Sequence, residues 1–261
     1  IGRRGATGVD NTAYGFVAQN ELTTGVGNNA FGARAQERLT IGNHNNALGY
    51  GAQRYIKSGY YNIGIGYSAQ SQIQDGSWNI GIGNEAQRDI KSGNRNTTVG
   101  SRAHNSLTDG SWNVAMGREA GFNAGGSISR ATTTGNKQTT IGAQSGQATQ
   151  TQADHVTALG YRAIAAENAT ALGAFTRANA TGSVAIGLDS DGINSEANEV
   201  DEFVLGTQKH HVKVLGKLNI AQYTPTSTED ESGQIGDITS DDDYAYVKTS
   251  VGWKRSTLET F

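Results

Sequence analysis

Asn62-Ile63-Gly64-Ile65-Gly66 is followed seventeen residues later by Asn79-Ile80-Gly81-Ile82-Gly83. Side chains in such a run alternate across the chain instead of recurring at every third and fourth position, which is strand periodicity. Working outward, the closing glycine returns as Gly15, Gly32, Gly49, Gly66, Gly83, Gly100 and Gly117, each seventeen after the last. Four before each anchor stands Asn11, Asn28, Asn45, Asn62, Asn79, Asn96 or Asn113, and three after it Ala18, Ala35, Ala52, Ala69, Ala86, Ala103 or Ala120. The residue just before the anchor is large and apolar: Tyr14, Phe31, Leu48, Ile65, Ile82, Val99, Met116. An aliphatic falls seven after the anchor, from Leu22 to Leu107, and a second glycine ten after it, from Gly25 to Gly110. Gly8 fits that second-glycine slot one coil earlier.

A fixed short period with apolar positions locked to it is the signature of a stacked repeat. Seventeen residues are too few for a helical hairpin, and two interior glycines disfavour helix by roughly 1 kcal/mol each. Each unit is therefore predicted to be one coil with two short strands, the first ending at the anchor glycine and the second around the aliphatic seven later. Stacked coils set each position above its own copy at about 4.8 Å. The asparagines then form a column of amides bonded along the stack, as does Gln19, Gln36, Gln53, Gln70, Gln87 and then His104. The same reading places Ile65 and Ile82 in a narrow apolar stack that two aspartates are expected to destroy. So short a coil encloses little apolar volume, and neighbouring chains are expected to cover the rest.

Bulk properties agree with this. The 36 glycines among 261 residues follow a period, so they signal architecture and not disorder. A formal charge of −3 argues against nucleic acid as the main partner. Without cysteine there is no disulfide framework and no thiolate site. No apolar run approaches the roughly 20 residues of a membrane helix, and neither a signal peptide nor membrane insertion is expected. The chain begins within the array, which reads as a fragment or processed product.

After Gly117 the anchors become Gly142, Gly160, Gly173 and Gly187, at intervals of 25, 18, 13 and 14. The added length of the first interval reads as a loop insertion over about 121–137, where repeat proteins commonly place recognition residues. The repeat array is assigned to 1–190 and transition strands to 191–222. A small C-terminal β module occupies 223–261, its strands flanking Tyr244-Ala245-Tyr246-Val247 and Gly252-Trp253-Lys254-Arg255.

Asn168-Ala169-Thr170-Ala171-Leu172-Gly173 and Ser183-Val184-Ala185-Ile186-Gly187 resemble the head repeat of trimeric autotransporter adhesins. The seventeen-residue version, as in Asn28-Asn29-Ala30-Phe31-Gly32, more closely resembles repeats of bacteriophage and other viral fibre proteins. The likeness covers about residues 8–187. It implies an all-β, left-handed parallel β-roll, homotrimeric about one axis, without a cofactor. The adhesins continue into a stalk and a membrane-anchoring barrel, and neither is expected from residues 191–261. Its ending is similar to short terminal modules of phage tail proteins. The resemblance therefore implies a virion fibre that attaches to a host-surface glycan or protein and to other virion proteins. A bacterial surface adhesin is the alternative, and a polysaccharide-degrading β-helical enzyme ranks below it.

His44, Tyr61, Trp78, Arg95 and Trp112 share the slot twelve after the anchor. Such a column is a candidate sugar-stacking surface, and equally the kind of aromatic packing that a subunit interface uses. Glu85 and Glu119 share a slot two coils apart, roughly 9–10 Å by the strand spacing, near the upper end of the inverting-glycosidase range. The other residues of that slot vary, which reads as a solvated face. Asp75 and Asp109 precede corner glycines and read as turn residues. His210 and His211 would meet three times about an axis as a weak metal candidate. Asp241-Asp242-Asp243 lacks the glycine and distal glutamate of a calcium loop.

Overall fold

The computed structural model describes residues 8–121, 135–146, 153–187, 195–207, 238–240 and 244–257. The chain divides into two compact units, 1–210 and 211–261.

The first unit is a parallel β-solenoid. Its leading strands are β1 (Thr12–Tyr14), β2 (Asn29–Phe31), β3 (Asn46–Leu48), β4 (Ile63–Ile65), β5 (Ile80–Ile82), β6 (Thr97–Val99), β7 (Val114–Met116), β8 (Thr139–Ile141) and β9 (Thr157–Leu159). Two-residue strands then alternate with longer ones: β10 (Ile164–Ala165), β11 (Thr170–Leu172), β12 (Arg177–Ala178), β13 (Val184–Ile186), β14 (Glu196–Ala197) and β15 (Phe203–Leu205). Twelve strands form one continuous sheet in the order β1 to β9, β11, β13, β15, and β10, β12 and β14 form a second. Register follows the repeat, with Ile63, Gly64 and Ile65 opposite Ile80, Gly81 and Ile82. No helix occurs among the described residues. Phe203–Leu205 pairs with Val184–Ile186, so the ladder runs one rung past the last compact repeat.

Two expectations need correction. In the seventeen-residue coils only the strand before the anchor forms. The stretch after it still bonds coil to coil, with Gln19 N–H donating to Ala35 C=O at 3.0 Å and Thr23 N–H to Thr40 C=O at 2.9 Å. It does so without being extended, because the second and fourth residues after the anchor lie in the left-handed region, as in Arg34 (φ 60°) and Gln36 (φ 48°). Where later coils shorten to thirteen or fourteen residues, a second strand does appear, as in β10 and β12.

The second correction concerns inside and outside. The inward residue of each strand is the small central one; Ala30, Thr98 and Ala115 are fully buried. The large residue before the anchor faces outward, 53% exposed at Leu48 and 76% at Tyr14. Ile65 and Ile82 belong to that outer column and are half-buried. The interior is built instead from alanines and from the buried column Leu22, Leu39, Ile56, Ile73, Ile90 and Leu107.

Both amide columns run inside. Asn45 Oδ1 accepts from the backbone N–H and Nδ2 of Asn62 at 3.1 and 3.0 Å, and Asn45 Nδ2 donates to Gly59 C=O at 2.7 Å. From Gln19 to Gln70 each glutamine Nε2 donates onward to the next glutamine. Every interior amide thus closes its bonds on neighbouring coils, the condition for burying a polar group without a net cost. Close stacking also explains the anchors: at Gly66 (φ 127°) a Cβ would run into the Gly83 carbonyl. The left-handed region also disfavours any side chain there.

The second unit contains an antiparallel sheet of β16 (Ile238–Ser240), β17 (Tyr244–Thr249) and β18 (Gly252–Thr257). Tyr246 and Trp253 are buried, and Lys248 Nζ lies 5.3 Å from the Trp253 ring centre.

Candidate functional site

The column twelve after the anchor forms a corner at which every residue takes a left-handed conformation: His44, Tyr61, Trp78, Arg95 and Trp112 have φ between 56° and 63°. Glycine, asparagine and aspartate adopt this region at little cost, and Gly27, Asn168 and Asp201 do so in other coils. Bulky residues there cost about 1–2 kcal/mol apiece. Stacking offsets part of this. The rings of His44 and Tyr61 stack at 4.9 Å, those of Tyr61 and Trp78 at 4.3 Å with planes 19° apart, and the Arg95 guanidinium lies 4.4 Å from the Trp112 ring centre. The structure therefore brings the five candidates into one ladder, with Tyr61, Trp78 and Trp112 about half exposed. The ring faces of Tyr61 and Trp78 meet each other, so a ligand approaching from the side meets ring edges and, one coil on, the Arg95 guanidinium over Trp112.

A second aromatic pair, Tyr50 and Tyr67, stacks at 5.5 Å with planes 8° apart and flanks the outer strand face. Arg38 and Arg54 both lie over the Tyr55 ring, at 5.0 and 4.8 Å. Sequence reasoning passed over these, although the seventeen-residue spacing of Tyr50 and Tyr67 was a usable signal.

The carboxylate pair is differently employed. Arg102 fills the slot between Glu85 and Glu119, its Nη1 donating to Glu119 Oε1 at 3.2 Å. Gln144 donates to Glu119 Oε2 at 3.0 Å, and Arg118 Nη2 reaches Oε1 at 3.2 Å. The bond from Gln144, with Arg118 and Arg102 beside it, holds the Glu119 carboxyl below the usual carboxylate range despite its burial. Glu85 pairs with Arg88 at 3.3 Å. A glycosidase acid needs a raised value and a water path between its carboxyls; here a guanidinium occupies that path. Asp109 accepts from the Ser92 hydroxyl at 2.6 Å, and Asp75 likewise from Ser58. Both sit at corners as turn residues.

No group of three metal-binding side chains occurs among the described residues. His210, His211, Asp241, Asp242 and Asp243 lie outside the described residues, as does most of the 121–137 insertion.

The outward strand face runs along the twelve-stranded sheet. It carries Tyr14, Phe31, Leu48, Val99, Met116, Ile141, Leu172 and Leu205, each at least 36% exposed, on one continuous sheet. A groove of about 240 Å³ lies on it between Phe31, Leu48, Ile63 and Ile65. No protein-family model matches the chain, and no curated protein or solved structure is significantly similar to it.

Proposed function

We propose that this chain is a shaft and recognition segment of a homotrimeric fibre, a left-handed β-roll mounted on a virion together with other virion proteins, which attaches it to a glycan or protein of the host surface. The outer strand face carries this reading. Monomeric proteins seldom leave so long a contiguous apolar surface in water. The face also offers an apolar side chain in every coil, at about 4.8 Å. A second and third copy supply the same spacing and mesh along the whole array, and three-fold closure leaves no copy with an open face.

The corner ladder is the recognition surface in this reading. Backbone strain at several neighbouring residues is a pointer to function, and here bulky aromatics hold positions that glycine would hold more cheaply. Exposed indole and phenol edges flanked by Arg95 and His44 suit the hydroxyls of a saccharide chain lying along the stack.

Native mass and cell labelling test the assembly. The expected species is a trimer of about 82 kDa, three times the 27.4 kDa chain, that labels intact bacteria. A monomer at micromolar concentration removes the fibre reading. Labelling of animal cells or matrix without bacteria favours a bacterial adhesin, the reading that the Asn168 to Gly173 and Ser183 to Gly187 repeats support.

Trp78→Gly with Trp112→Gly tests the ladder. Loss of stacking costs about 0.5–1.5 kcal/mol per ring, and relief of the left-handed strain returns a similar amount. The variant is expected to keep its denaturation midpoint and its trimer while glycan-array binding falls at least about tenfold. Unchanged binding assigns the ladder to architecture alone.

A further inference from the structure

The interior glutamine ladder ends on a group that no neighbour satisfies. From Gln19, each Nε2 donates to the next side-chain oxygen: Gln36 at 2.9 Å, Gln53 at 3.0 Å, Gln70 at 2.9 Å and Gln87 at 2.9 Å. Gln87 Nε2 then donates to Thr98 Oγ1 at 2.7 Å. Thr98 stands where the preceding coils have alanine or glycine, and its oxygen lies 3.2 Å from His104 Nδ1. The Thr98 hydroxyl has one proton and two lone pairs, so it can pair with Nδ1 in either tautomer, and in both Nε2 is left over. His104 is wholly buried, and Nε2 has no hydrogen-bond partner. In the next coil the ladder slot holds Gly121 (φ 61°), where a Cβ would collide with the imidazole edge.

The outer side of the same coils carries a latch. Arg102 Nη1 and Gln144 Nε2 donate to the two Glu119 oxygens, and Arg162 Nε donates to Gln144 Oε1 at 2.7 Å. This chain of contacts ties the coils anchored at Gly100, Gly117, Gly142 and Gly160 together where the glutamine column has stopped, while the asparagine column continues through Asn113 to Gln138.

We propose that the coils from Thr98 to Gly121 form an acid-opened seam, at which the glutamine-laddered coils part from the alanine-cored coils when the surroundings acidify.

Burial holds the His104 imidazole down at about 4, against an ordinary value of 6.5. Its neighbours Gln87, Thr98 and Gly121 carry no charge, so none of these described groups compensates a proton gained inside. Once the seam opens, water restores the ordinary value. The open form therefore binds more protons between these two values: closure is at full strength above about 6.5 and weakens as pH falls towards 4. Glu119 acts in the same direction later. Its value is lowered by Gln144 first and then by Arg118 and Arg102. The latch is intact above the ordinary carboxylate range and is lost as pH falls through the lowered value.

Amide hydrogen exchange read by mass spectrometry over residues 98–121, corrected for intrinsic exchange, tests this. Between pH 7 and pH 5 the opening constant of the wild-type seam is expected to rise about 20-fold, the effect of one proton bound at 6.5 open and about 4 closed. In His104→Gln that rise is expected to vanish. The same rise in both proteins overturns the proposal. An NMR titration of the His104 imidazole in the unaltered protein decides the matter if the variant does not fold: a ring that stays neutral to about pH 4 supports the seam, and one that titrates near 6.5 while the protein remains folded overturns it. Neither outcome depends on what the fibre binds.

Discussion

Replacing Asn45 by alanine is expected to destabilise the solenoid by about 3–5 kcal/mol, while Asn29→Ala, one column away, costs less than about 1 kcal/mol. The two residues are of one type and both bond to a copy of their own column, so the difference isolates burial. Asn45 is fully buried. Its loss leaves the backbone N–H of Asn62 and one of the two Nδ2 protons of Asn62 without an acceptor and Gly59 C=O without the Asn45 donor, with no water to replace them. Unsatisfied buried groups cost about 1–3 kcal/mol each. Asn29 Nδ2 donates to Asn46 Oδ1 at 2.7 Å on the outer face, where solvent can substitute in the free chain. Urea unfolding at fixed protein concentration gives both values, and equal losses would show that the inner column is reached by water.

Ile65→Asp combined with Ile82→Asp is expected to convert a trimer of about 82 kDa into the 27.4 kDa chain while leaving the far-UV spectrum of a β-solenoid. Both side chains belong to the outer column, so the carboxylates do not enter the coil. In the proposed trimer they would gather between three chains, and desolvating unpaired charges costs several kcal/mol for each. Ala86→Asp is the contrasting change, because Ala86 is fully buried within the coil, and it is expected to abolish the fold. If the double variant loses its spectrum as Ala86→Asp does, the outer column is needed for the coil itself. If it remains a trimer, the interface lies on another face.

These contrasts mark how far the sequence could be read. The period, the parallel stacking and both amide columns were legible because each slot is occupied by the same residue type coil after coil. Strand alternation showed that Ile63 and Ile65 share one face, but alternation is symmetric and does not say which face is inside. The clue was size: Ala30, Ala47, Gly64 and Gly81 are small because backbone and amides crowd them from within. The missing second strand was hidden for another reason. Arg34, Gln36 and Trp78 occupy backbone conformations that their own preferences disfavour, and only stacking on the adjacent coil holds them there. His104 was visible as a break in the glutamine column. Its isolation was not, because that depends on Thr98 and Gly121, which are distant in slot and near in space.

The direction of the backbone bonds has a mechanical consequence. Because each coil is bonded to the next and the bonds point along the stack, tension applied end to end loads them one coil at a time instead of all together. A solenoid pulled in this way peels coil by coil. Each seventeen-residue coil that detaches releases about 50–55 Å of contour, its extended length less one strand spacing. A single chain would thus pay out length at low, repeated force like a ratcheted tape, whereas three chains joined through their outer faces must peel in concert.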